Sequence, residues 1–133
     1  MTATRGVLDT SAFIATENGR TLDEAALPAE AAISVVTLAE LHAGVLAATD
    51  VTTRALRMAT LNAVADIELL PIDEKAAIAW ATMRARSAEA GRRININDLW
   101  IAASAASRDL PVVTQDNDFE PLIELTDLHV ISC

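Results

Sequence analysis

Five short, continuously apolar runs punctuate the chain, and longer segments with apolar residues at helical spacing lie between them. Continuous apolar runs are typical of strands that are buried on both faces. They predict strands over residues 6–8, 32–36, 67–70, 110–114 and 128–131. The intervening spacing predicts helices over residues 10–17, 38–46, 52–65, 73–90 and 98–108, with a helical turn at 116–122.

Capping residues refine the bounds of two of these helices. Asp73 is suited to cap the start of the helix over residues 73–90, and Gly91 lies where a helix end favours the left-handed conformation. Thr37 followed by Glu40 forms a capping box, so we expect the second helix to begin just after Thr37.

Strands separated by helices predict successive βαβ units and therefore a parallel sheet with helices on both faces. The 133 residues contain no internal repeat, low-complexity tract or linker. We therefore expect a single α/β domain spanning residues 1–133.

Composition narrows the class of protein. Hydrophobic residues make up 52% of the chain and charged residues 22%, which excludes intrinsic disorder. No apolar run approaches the roughly 18 residues of a membrane span, and the start of the chain lacks the apolar region of a signal peptide. Since Cys133 is the only cysteine, no internal disulfide is possible. We expect a cytoplasmic protein without a membrane contact.

The formal net charge of −9 argues against general nucleic-acid binding, which requires a basic face. A metal ion or an arginine-rich protein segment is a more natural partner. Residues 84–93 depart from this excess of negative charge, because they hold four of the ten basic residues: Arg84, Arg86, Arg92 and Arg93.

Four carboxylates occupy suggestive places relative to the predicted strands. Asp9 directly follows the first strand, Glu40 lies about one helical turn past the second, and Asp116 follows the fourth by two residues. Ligands of parallel α/β sheets bind beyond the carboxyl ends of the strands. Asp98 begins the helix before the fourth strand, so only the packing of that helix can bring it to the same edge.

Each of these acids also has a purely structural interpretation. Asp9 is suited to cap the first helix, and Asn95 is suited to cap a later one and to leave Asp98 as its first-turn carboxylate. Asp116 or Asn117 is suited to cap the last short helix.

If all four carboxylates converge, capping alone does not stabilise them. Two like charges about 4 Å apart repel by about 4 kcal/mol at an effective dielectric constant near 20. A helix dipole offsets only about 0.3–1 kcal/mol for each charge. An all-oxygen cluster of this kind suits Mg²⁺ or Mn²⁺.

The segments around these acids resemble the ordered blocks of the PIN domain, and in particular those of VapC-type toxins of bacterial toxin–antitoxin pairs. The blocks are VLDTSA at 7–12, SVVTLAEL at 34–41, NDLWIAA at 97–103 and VTQDNDF at 113–119. Four blocks in order at typical spacing are a far more specific signal than any one of them.

This resemblance implies a three-layer α/β/α sandwich with a central parallel sheet of about five strands. It also implies a Mg²⁺-dependent endoribonuclease in which a water activated by metal cleaves RNA phosphodiesters. The catalytic quartet maps onto Asp9, Glu40, Asp98 and Asp116, with Asp9 and Asp98 as direct metal ligands. Asp118 is a possible fifth acid, although a solvated turn residue is its more common role.

The resemblance further implies a cognate VapB-type antitoxin and a homodimer. The clustered arginines are candidate guides for the RNA backbone: Arg84, Arg86, Arg92 and Arg93. Arg92 and Arg93 are the candidate substrate-binding residues, with a solvated helix end as the structural alternative. A non-catalytic PIN-like scaffold, or a module that binds RNA or protein, remains the alternative function. A receiver-type phosphoacceptor is disfavoured because the only lysine, Lys75, lies at the start of a mid-chain helix.

Overall fold

The computed structural model describes residues 4–133, which form five β-strands and six α-helices. The strands are β1 (Arg5–Leu8), β2 (Glu30–Ser34), β3 (Glu68–Leu70), β4 (Val112–Thr114) and β5 (Val130–Ser132). The helices are α1 (Thr10–Glu17), α2 (Val35–Ala47), α3 (Val51–Ala63), α4 (Glu74–Glu89), α5 (Ile96–Ala106) and α6 (Glu120–Leu125). A short 3-10 turn, Glu24–Ala26, precedes β2.

All five strands are parallel, and their order across the sheet is β3-β2-β1-β4-β5. The chain proceeds outward from β1 to β3 on one side and then returns to the other side of β1 as β4. The switch point therefore lies between β1 and β4, where a crevice opens beyond the carboxyl ends of the strands. This topology places Asp9 and Asp116 at the two sides of that crevice.

Alternate side chains of the strands point into two separate hydrophobic clusters. Val7 and Ala32 belong to the larger cluster, which includes residues of α4, α5 and α6. Leu8 and Ile33 belong to the smaller cluster, which packs against α1, α2 and α3. The sheet is thus covered on both faces, which confirms the predicted three-layer α/β/α architecture.

The helix α4 confirms the predicted caps. The side chain of Asp73 accepts a hydrogen bond from the backbone N–H of Ala76 at 3.0 Å. At the other end Gly91 has a φ of 67°, a conformation that a residue with a Cβ adopts at a cost. Asn95 caps α5, as the structural interpretation of that segment predicted.

The predicted start of α2 was wrong. The apolar run predicts a strand that includes Val35 and Val36, but α2 already begins at Val35 with Ser34 as its N-cap. Ser34 is fully buried at the end of β2, where its hydroxyl accepts a hydrogen bond from the N–H of Val36 at 3.0 Å. Thr37 therefore lies inside the helix, and the predicted capping box does not form.

The last helix was also misplaced. It spans Glu120–Leu125, with no side-chain cap at its N-cap residue Phe119. Neither Asp116 nor Asn117 therefore caps it. Phe119 and Leu122 are fully buried, so packing against the larger cluster sets this helix.

Within residues 4–133, no helix combines the length and the apolar character needed to cross a membrane.

Candidate metal and active site

Five carboxylates from four segments of the chain line one open pocket of about 250 Å³ beyond the carboxyl ends of β1 and β4. We call this the acid pocket. Its carboxylates are Asp9, Glu40, Asp98, Asp116 and Asp118, and its other lining residues are Thr10, Ser11, Ile14 and Asn95. The predicted quartet therefore converges, and Asp118 joins it at the exposed rim.

Asp9 forms the floor of the pocket, with only 2% of its surface exposed. Its carboxylate caps α1 by accepting from the N–H of Ser11 at 3.4 Å, and it accepts from the hydroxyl of Thr114 at 3.0 Å. Burial raises the pKa of Asp9, and the nearby charge of Asp116 adds to that rise. The hydrogen bonds from Ser11 and Thr114 act in the opposite direction. Asp9 therefore caps α1 and also belongs to the acid cluster.

Glu40 is held by a hydroxyl pair on the opposite wall. The hydroxyl of Thr10 is 2.8 Å from Oε1 of Glu40 and 3.0 Å from the hydroxyl of Thr37, and both contacts are hydrogen bonds. Thr37 and Glu40 lie three residues apart in α2, so they share one face of the helix. The early start of α2 thereby directs both side chains at Thr10.

Asp116 is positioned by the turn that follows β4. Its backbone N–H donates to the hydroxyl of Thr114 at 3.2 Å, and its Oδ1 lies 3.3 Å from the same hydroxyl. Oδ1 also accepts from the N–H of Asp118 at 3.1 Å. Ser11 ties this turn to α1, because its hydroxyl contacts that of Thr114 at 3.1 Å and accepts from the N–H of Gln115 at 3.0 Å.

Asp98 reaches the pocket through the first turn of α5. Oδ1 of Asn95 accepts from the N–H groups of Asn97 and Asp98 at 2.9 and 3.2 Å, which sets the start of the helix. Burial, followed by the charges of the other four acids, raises the pKa of Asp98 from 3.8 to about 7. Without a cation, the pocket therefore disfavours the charged form of Asp98.

Within the described part of the chain, no basic side chain forms an ion pair with an acid of this cluster. The ion pairs within residues 4–133 join Arg5 to Glu30 and Glu68, Arg92 to Glu124, and Arg108 to Asp73. None of them involves an acid of the pocket. Neither His42 nor His129 lines it.

The donor set fits an oxygen-preferring divalent cation in an open site. In the described part of the chain, no group of three or more acidic, histidine or cysteine side chains is close enough to enclose a metal ion by itself. Mg²⁺ does not require such a cage, because it retains several waters and is bound by one or two carboxylates. The gathered carboxylates are compatible with that mode of binding.

Comparison with known proteins identifies the family. The PIN domain profile matches residues 6–123. Ribonuclease VapC5 of Mycobacterium tuberculosis is 59% identical over 130 residues, which cover 98% of this chain and 96% of that protein. Ribonuclease VapC4 of the same organism is 38% identical over 132 residues, which cover 99% of each chain.

The chain belongs to the VapC family of PIN-domain ribonucleases.

Solved structures agree with this assignment. The VapBC-5 toxin–antitoxin crystal structure from M. tuberculosis contains a chain with a TM-score of 0.91 and 55% sequence identity, and the match covers 98% of this chain and 99% of that one. The VapBC2 structure from Rickettsia felis, bound to a promoter DNA fragment, matches with a TM-score of 0.80 at 20% identity. That match covers 97% of this chain and 98% of that one, and it supports the fold alone.

Two residues have roles at the acid pocket that the sequence did not indicate, one behind its wall and one on its lining. Thr37 was interpreted as a helix cap, yet it supports Glu40 through Thr10. Asn95 was interpreted only as a cap, yet it also lines the pocket. The spacing of three residues between Thr37 and Glu40 was the available signal, but it pointed equally well to a capping box.

The clustered arginines are divided by the fold. Arg92 and Arg93 line a separate cavity together with Arg84. Arg86 faces elsewhere, since its guanidinium donates to the carbonyl of Leu125 at 3.3 Å.

Proposed function

We propose that this VapC-family chain is a Mg²⁺-dependent endoribonuclease that acts as the toxin of a type II toxin–antitoxin pair. One observation carries the proposal: five carboxylates line a single open pocket, and no basic side chain of the described chain pairs with them. Such a cluster is stabilised by a divalent cation. Mn²⁺ has compatible ligand preferences.

In this proposal, Asp9 and Asp98 hold the metal ion, because burial and the neighbouring acids disfavour their charged forms when no cation is bound. Bound Mg²⁺ supplies Lewis-acid stabilisation of phosphoryl oxygens and lowers the pKa of water. Glu40 and Asp116 orient the attacking water by accepting its hydrogen bonds. Thr10 and Thr114 keep these two carboxylates in place through the contacts already described. The water oxygen would form a bond to phosphorus in line with the leaving oxygen while the P–O bond to that oxygen breaks. The water gives up one proton, and the leaving oxygen takes up a proton from solvent.

The same charges shape recognition of the substrate. A phosphodiester is repelled by the acid pocket unless a cation is present, so metal and RNA binding are expected to be coupled. Arg92 and Arg93 lie on the loop that leads into α5 and are proposed to contact the RNA backbone.

A VapB-type antitoxin is the proposed inhibitor. The acid pocket shares Ile14 and Glu40 with a neighbouring cavity of about 250 Å³, which Glu17, Leu41 and Arg57 also line. An antitoxin segment with an arginine fits this arrangement, because the arginine enters the acid pocket while apolar residues follow the cavity. The VapBC-5 relative was crystallised as a member of a toxin–antitoxin system.

A homodimer also remains a prediction. Sedimentation of the isolated chain measures its oligomeric state, and a monomer at every concentration contradicts it.

The central test replaces Asp9 or Asp98 with asparagine, which removes a charge with little change in volume. Either variant is expected to abolish Mg²⁺-dependent RNA cleavage while retaining the far-UV circular dichroism of the parent. Asp66→Asn makes the same chemical change at an exposed turn and is expected to cleave normally. Cleavage at the parent rate by either pocket variant contradicts the site assignment.

Calorimetric titration with Mn²⁺ separates an enzyme from the alternative function. The parent is expected to bind the metal and the Asp98→Asn variant to bind it more weakly. Absence of metal affinity at millimolar concentrations supports a non-catalytic scaffold or a module that binds RNA or protein.

Expression of the chain alone tests the role as a toxin. Growth arrest is expected, with relief by the cognate antitoxin, and mapping RNA ends after brief expression identifies the cleaved sites. Unaffected growth at high soluble expression contradicts this role.

A further inference from the structure

Three arginines surround one cavity of about 220 Å³ beside the acid pocket, and we call it the arginine cavity. Arg84 comes from the last turns of α4, while Arg92 and Arg93 come from the loop that follows. The remaining lining residues are Ser87, Ala88, Ile94 and Leu99. No carboxylate is among them, although the chain as a whole carries a net charge of −9.

These arginines do not serve to cap α4. The terminal carbonyls of that helix accept from the backbone N–H groups of Ala90, Gly91 and Arg92. The side chains of Arg84 and Arg93 form no hydrogen bond or ion pair with any residue between 4 and 133. Arg92 approaches Glu124 only at 4.0 Å, with both side chains about half exposed or more, so this pair is weak.

Arg84 is nevertheless held in place. Its guanidinium carbon lies 5.4 Å from the ring centroid of Trp80, and Trp80 stacks on Trp100 with centroids 4.8 Å apart and an interplanar angle of 16°. A contact through the ring face orients a guanidinium without using its N–H donors. Those donors remain available to an anion in the cavity.

The arginine cavity and the acid pocket share a wall. Ile94 lines the cavity and Asn95 lines the pocket, while Leu99 and Asp98 are divided in the same way. The wall is therefore the first turn of α5. A helix with its side chains is about 10 Å across, so a nucleotide strand that crosses this turn is long enough to contact both sites.

We propose that the arginine cavity binds a phosphate of the RNA substrate on the strand that passes through the acid pocket, with Arg84 as an additional substrate-binding residue. The inference rests on the proposed ribonuclease function and extends it. One phosphate held by the planar donors of Arg84 and Arg93 sets the position of the strand across α5. The nearby scissile phosphodiester is then presented to the carboxylates.

The matched comparison is Arg84→Gln against Arg86→Gln. Both substitutions remove one positive charge from the same helix, but only Arg84 lines the cavity. Binding of a short fluorescein-labelled single-stranded RNA of mixed sequence is measured by anisotropy in Mg²⁺, on the Glu40→Gln background, which prevents cleavage by removing a water-orienting carboxylate and keeps both proposed metal ligands. Each phosphate contact contributes about 0.7 to the slope of log Kd against log salt for a single strand.

We expect Arg84→Gln and Arg93→Gln each to lower that slope by about 0.7, whereas Arg86→Gln leaves it unchanged. In the active chain, Arg84→Gln is expected to raise KM for RNA and to leave kcat near that of the parent. Equal slopes for Arg84→Gln and Arg86→Gln overturn the inference.

Further outcomes separate this inference from the proposed function. If the parent cleaves RNA with Mg²⁺ but the two glutamine variants behave alike, the inference alone fails. If the parent cleaves no RNA, the proposed function fails. If Arg84→Gln weakens inhibition by the antitoxin and leaves the RNA slope unchanged, the cavity binds an acidic protein segment and the inference is wrong.

Discussion

Replacing Asp98 with asparagine is expected to stabilise the metal-free chain at neutral and alkaline pH. In the folded chain, burial and the four neighbouring acids raise the pKa of Asp98 from 3.8 to about 7. At 1.36 kcal/mol for each pH unit, this rise corresponds to a destabilisation of about 4 kcal/mol by the charged form. Because water reaches one side of the pocket and screens the charges, we expect about 2 kcal/mol to be measurable.

The pH dependence has a defined direction. Between about pH 4 and pH 7, the folded chain retains a proton on Asp98 that the unfolded chain has lost. The free energy of unfolding of the parent therefore falls as pH rises through this window and stays low above it. The Asp98→Asn variant lacks this group, so its advantage is small near pH 4 and largest above pH 7.

Urea denaturation with a chelator present measures the free energies of unfolding of the parent and of Asp98→Asn. It is carried out at pH 4.5 and at pH 8, roughly the two ends of that window. Asp66→Asn is the control, because it makes the same change at an exposed turn. If Asp98→Asn is no more stable than the parent at the higher pH while Asp66→Asn behaves like the parent, the acids are not electrostatically coupled and the reasoning fails.

Three further predictions concern the metal, the hydroxyl network and the backbone. Mg²⁺ at about 100 times its Kd is expected to raise the free energy of unfolding of the parent by about 2.7 kcal/mol and that of Asp98→Asn by less. Urea denaturation at pH 8, roughly the upper end of the window, measures both free energies. Thr114→Val removes the hydroxyl that donates to the buried carboxylate of Asp9, so we expect a loss of about 1–3 kcal/mol in the same assay and slower RNA cleavage. Gly91→Ala is expected to cost about 1 kcal/mol, because its φ is 67°. Gly44→Ala instead places a Cβ in α2 at 3.8 Å from its nearest neighbour, so it is expected to stabilise the fold by about 0.5–1 kcal/mol. A higher urea midpoint for Gly91→Ala than for Gly44→Ala contradicts this account.

Local sequence determined the type and order of the elements. The short apolar runs became parallel strands, and Asp73, Gly91 and Asn95 mark helix ends where the sequence indicated them. The predicted boundary failed at the start of α2, where two residues three positions apart carry the same kind of capping hydroxyl. Ser34 and Thr37 are both suitable caps, and Ser34 caps α2 because β2 ends there in the buried sheet.

Sequence by itself therefore predicted a parallel α/β fold and showed the four-block resemblance to PIN-domain toxins. It also identified the candidate acids, but not that they lie in one pocket. Only the tertiary structure brought them together: Asp9 accepts a hydrogen bond from Thr114, which is 105 residues away in the chain. It also separated Arg84 from Arg86, since two residues along a helix with 3.6 residues per turn point in nearly opposite directions. Local spacing specifies which residues share a face, but the packing of helices on the sheet decides what that face meets.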